Sequence, residues 1–170
     1  MAEDMEQQLV ADLARIVVAE TSPQELPLFR AHSEAYFKDP ASALKRQGGK
    51  DEMLGFGMGE AMTLLTPIAL AVASEVVKFV LDEVGKSLKK EGADLIGDVI
   101  KRLFKRVRAP GEGRSGHDAK AQEAPPVLTP EQMAQIRRLA FDKARQLNVP
   151  ETQAGLLADA VIGSLAVAGR

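Results

Sequence analysis

The chain has no cysteine and no tryptophan, and aromatic side chains make up only 4% of its 170 residues. Without thiols there are no disulfides, no thiolate nucleophile and no zinc–thiolate centre, and the composition fits a reducing compartment. With so few rings the core has to be built from Ala, Val, Leu and Ile, which favours closely spaced helices over a β-sandwich. No stretch alternates apolar and polar residues for long enough to suggest a half-buried strand. The two histidines, His32 and His117, stand far apart, and no residue set has metal-ligand spacing. The opening MAEDMEQQ is acidic and polar, the opposite of a secretory leader, so the expected location is the cytoplasm, including the inner face of the membrane.

What is present is apolar and helical in period. Residues 5–20 place Leu9, Leu13, Ile16, Val17 and Glu20 along one side of a helix. Ser22-Pro23-Gln24-Glu25 reads as a capping box with proline at the first helical position. Pro27 then predicts one turn, a kink and a helix running through Phe37. Asp39-Pro40 opens a short helix that ends at Gly48-Gly49.

Residues 61–81, AMTLLTPIALAVASEVVKFVL, carry only Glu75 and Lys78 as charges, and Pro67 predicts a kink or a first-turn boundary near Thr66. A run of this kind suits the buried central helix of a bundle, a short membrane span, or a segment first buried and later inserted. Residues 93–108 form an amphipathic pattern whose cationic side, Lys101, Arg102, Lys105, Arg106 and Arg108, lies beside an apolar side that includes Leu103 and Phe104. Such a helix packs on a core with its charges at the negative end of its dipole, lies on anionic lipid, or meets an acidic partner. Charge is polarised to match: residues 1–60 hold six Lys and Arg against eleven Asp and Glu, and residues 85–108 hold eight against three.

Residues 109–127 are rich in Pro, Gly and Ala and read as a flexible linker. The remainder reads as a helical hairpin. Thr129-Pro130-Glu131-Gln132 is a capping box with a Leu128–Met133 staple, and Met133, Ile136, Ala140, Ala144 and Leu147 form the seam. After a turn at Asn148-Val149-Pro150, residues 154–168 hold a single charge, Asp159. A helix apolar all round is central to a core or covered by a partner, and two helices alone cannot enclose it. It must pack on the N-terminal part, on another copy or on another protein.

Sites of chemistry are sparse. Gly55, Gly57 and Gly59 lack the preceding strand and GK[ST] of a phosphate loop, and read as a hinge or close-packing element. His32, near Glu34, Tyr36 and Asp39, reads as a packed histidine more readily than as a general base. The basic run lacks interleaved aromatics and the hairpin's second helix lacks basic or amide residues, so nucleic acid is not expected as a partner. The Ala, Val, Leu and Arg usage resembles that of small helical accessory proteins of high-GC bacteria, a likeness of composition that transfers no site.

The expected fold is all-α: a helical bundle over residues 1–108, a linker over 109–127 and a helical hairpin over 128–170. The expected function is a non-enzymatic protein–protein interaction or oligomerisation module, without catalytic residues, cofactor or metal. It is expected to self-associate or bind a protein through Leu156, Leu157, Ala160, Val161 and Leu165. Lys101, Arg102, Leu103, Phe104, Lys105 and Arg106 are expected to touch an anionic membrane or an acidic partner. The rival expectation is a membrane-inserting effector, pore-forming or toxin-like, held soluble until triggered.

Overall fold

A computed structural model describes residues 2–45, 64–88 and 128–167. These are all-helical: α1 (Ala2–Thr21), a 3-10 helix (Pro23–Leu28), α2 (Phe29–Lys38), α3 (Pro40–Lys45), α4 (Leu65–Leu88), α5 (Pro130–Gln146) and α6 (Glu151–Val167). The glycine triplet, the basic segment 93–108 and the linker 109–127 lie outside the described residues.

Four long helices form a ring in which α1 packs on α4, α4 on α5, α5 on α6, and α6 back on α1. Neighbours run antiparallel. Gln132 and Lys143 of α5 meet Glu83 and Glu75 of α4 in reverse order, and the C-terminal end of α1 leads to the start of α4. Of the three coverings open to the hairpin, the chain's own N-terminal part is the one observed.

α4 is the centre. Every residue from Thr66 to Ala73 is buried, because α1 and α5 flank this stretch and α2 and α3 close over it. Alanines at positions 69, 71 and 73 let those neighbours approach closely. From Ser74 the helix becomes amphipathic, with Val76, Val77 and Val80 inside and Lys78 and Asp82 outside. Pro67 sits in the first turn, where its missing N–H costs no helical hydrogen bond, so it marks the boundary without kinking the helix.

That first turn is held by a residue forty positions away. Glu25 Oε1 accepts from the Leu65 N–H at 2.9 Å, and Oε2 accepts from the Thr66 N–H at 2.8 Å and the Thr66 hydroxyl at 2.6 Å. The Ser22–Glu25 capping box is corrected accordingly. The Ser22 side chain caps no backbone N–H; its hydroxyl donates to Glu25 Oε1 at 2.9 Å. Two prolines hold the following segment as a 3-10 helix, which turns the Glu25 carboxylate toward the donors at the start of α4.

The hairpin follows its local signals. Thr129 Oγ1 accepts from the Gln132 N–H and Gln132 Oε1 accepts from the Thr129 N–H, a complete capping box. Gln132 Nε2 also donates to Glu83 at 3.4 Å, tying the box to α4. α5 ends in a Schellman turn: the Val149 N–H reaches the Ala144 carbonyl and the Asn148 N–H reaches that of Arg145. Asn148 has φ 63°, the left-handed region that Asn tolerates and β-branched residues resist. Asn148→Val is expected to lower stability by about 1–2 kcal/mol, whereas Asn148→Gly holds or slightly raises it. Thermal unfolding of the two variants side by side checks the pair.

Candidate functional site

Two places at the surface are shaped by more than the needs of the core. One is a cleft of about 410 Å³ where α1, α2, α3 and α4 meet, with Lys143 of α5 at its edge. It exists because the chain bends at Asp39-Pro40. Asp39 caps α3 by accepting from the Ser42 N–H and hydroxyl, which directs α3 away from the line of α2. The Ser42 hydroxyl and N–H are also what hold the Asp39 carboxyl below its ordinary range.

The apolar wall of the cleft comes from Val10, Tyr36, Phe37, Leu44 and Ala71. The rings of Tyr36 and Phe37 meet edge to face, with centroids 5.7 Å apart and an interplanar angle of 77°. Charge sits around this wall. Glu6 comes from α1, Glu75 and Lys78 from the stripe where α4 becomes amphipathic, and Lys143 from α5. Lys143 Nζ donates to Glu75 Oε1 at 3.2 Å. Ser74 is occupied internally, its hydroxyl donating to the Leu70 carbonyl.

The second place is the outward side of α6. Leu156 is 58% exposed, Ile162 is half-buried, and Gly155 and Gly163 lie on the same side, eight residues apart around Asp159. Asp159 Oδ1 accepts from Arg137 Nε at 2.7 Å, which neutralises the charge of this face.

Of the residues expected at an interface, Leu157, Ala160, Val161 and Leu165 are buried by the chain's own helices, and Leu156 is left outside. The apolar excess of α6 is therefore largely absorbed by α1 and α5. Residues 101–106, expected to contact membrane or an acidic partner, lie outside the described residues. The carboxylates near His32 are engaged elsewhere, Glu34 by Arg30 at 3.0 Å and Asp39 by Ser42. Among the described residues, no group of three potential ligands could hold a metal ion.

Sequence reasoning did not find the cleft. Its walls come from five helices, and only the spacing of Ala71, Ser74, Glu75 and Lys78 along one face of α4 hints at it. No protein-family model matches the chain, and no curated protein or solved structure matches it either.

Proposed function

We propose that this chain is a non-enzymatic helical interaction module that associates through the outward face of α6, with a second copy as the partner. One observation carries the reading. Gly155 and Gly163 stand inside a helix, and a Cβ at either would meet nothing within 4 Å. Neither has a positive φ that calls for glycine. Each costs the helix about 0.5–1 kcal/mol relative to alanine, with no return from packing among the described residues. Glycine on an outward helix face lets another backbone come close. Leu156 and Ile162 supply apolar contact beside them, and Asp159 arrives with its charge balanced by Arg137. A two-fold contact would use the same patch on both copies.

Methyl groups placed at the two glycines should act in opposite directions on folding and on association. Gly155→Ala with Gly163→Ala is expected to raise monomer stability by about 0.5–1 kcal/mol per site. The same methyls should weaken self-association by holding the helices apart. Urea unfolding reads the first effect and sedimentation equilibrium the second. Association unchanged by the added methyls removes this face from the contact.

The rival function, a membrane-inserting effector, requires α4 to leave the centre of the bundle. No helix among the described residues is long and apolar enough to cross a membrane. Contact of residues 101–106 with anionic lipid is a separate proposal. Co-sedimentation with anionic vesicles at low and high salt tests it, since electrostatic attachment weakens as salt rises.

A further inference from the structure

Beyond self-association, the geometry points to a ligand site in the cleft: it binds a small zwitterion that carries an aromatic or branched apolar group. The volume of about 410 Å³ lies within the range of small-molecule sites. The Tyr36 side chain is deeply packed, the residue being 7% exposed, yet among the described residues no group hydrogen-bonds to its hydroxyl. No buried side-chain polar atom is left unpaired among those residues, so the hydroxyl keeps some exposure, and Tyr36 is part of the cleft wall. There a polar group of a ligand can reach it while an apolar group lies against Tyr36, Phe37 and Val10.

The charges select the ligand class. Glu75 and Lys143 satisfy one another at 3.2 Å. Glu6 and Lys78 make no ion pair with a described residue, which leaves one carboxylate and one ammonium at the edge of the cleft. A simple anion is attracted by Lys78 and repelled by Glu6, and a simple cation meets the reverse. A molecule bearing both charges gains from both, and the apolar wall rewards a ring or branched chain between them.

Three probes that share one ring separate these contributions in the full-length protein. L-Phenylalanine is zwitterionic, N-acetyl-L-phenylalanine anionic and phenylethylamine cationic. In titrations followed by ¹H–¹⁵N correlation spectra, L-phenylalanine is expected to shift the amides of Val10, Tyr36, Phe37 and Ala71. Its Kd should be about tenfold below that of either singly charged probe, the effect of one partly solvated charge-assisted contact. Lys78→Gln, at an exposed position, should weaken L-phenylalanine and N-acetyl-L-phenylalanine and tighten phenylethylamine, whose ammonium it no longer repels. Tyr36→Phe, which keeps the ring in place, should weaken L-phenylalanine without altering the fold. Shifts that are absent or scattered over the surface, equal affinity for the three probes, or indifference to Lys78→Gln would overturn the assignment.

Discussion

Replacing Leu157 and Val161 together by Asp is expected to unfold the whole protein, and not merely to loosen a contact between copies. Leu157 is 1% exposed and Val161 0%, and the helix that carries them packs on both α1 and α5. An unpaired carboxylate forced into such a site costs several kcal/mol. Two of them rival the whole stability of a domain, which is typically about 5–15 kcal/mol. Circular dichroism in the absence of denaturant should show helicity lost across the chain. Leu156→Asp, one residue away but 58% exposed, should change stability by less than about 0.5 kcal/mol. A double variant that stays helical and unfolds cooperatively would show that α6 is not a core helix.

Removing the Glu25 carboxylate should release the start of α4. Glu25→Ala leaves the Leu65 N–H, the Thr66 N–H and the fully buried Thr66 side chain without their acceptor. Unmet hydrogen bonds of this kind cost about 1–3 kcal/mol near neutral pH. Acid should erase much of that difference. Burial acts to raise the Glu25 pKa, but hydrogen bonds from the Thr66 hydroxyl, the Leu65 and Thr66 N–H groups and the Ser22 hydroxyl outweigh it and leave the carboxyl below its ordinary value of 4.5. The stabilisation is thus complete above that value and is lost as pH falls through the lower, folded-state pKa. Urea midpoints of wild type and Glu25→Ala should converge on acidification. A gap that stays constant from neutral to strongly acidic pH would show that the ionised carboxylate is not the cap.

The features legible in the sequence are those whose partners lie within a turn or two of each other. The Thr129 box, the stop at Asn148 and the first-turn place of Pro67 are local, and local chemistry decides them. The pattern around Ser22 was visible, but its outcome depended on donors at Leu65 and Thr66 that only the tertiary fold brings near. For α6 the sequence pattern shows that the helix must be covered without showing by what. Leu157 and Val161 went to the chain's own core, while Leu156, next to Leu157, turned outward by one helical step. The cleft was hidden for the same reason, since Glu6, Tyr36, Lys78 and Lys143 are brought together only by the packing of four separate helices.

Sedimentation equilibrium of the full-length chain over a wide concentration series, run beside Leu156→Asp, tests the role of the α6 face most directly. Wild type should associate as concentration rises, and Leu156→Asp should stay monomeric with unchanged helicity and Tm. A wild-type chain that is monomeric throughout, or a Leu156→Asp chain that associates just as wild type does, would contradict it.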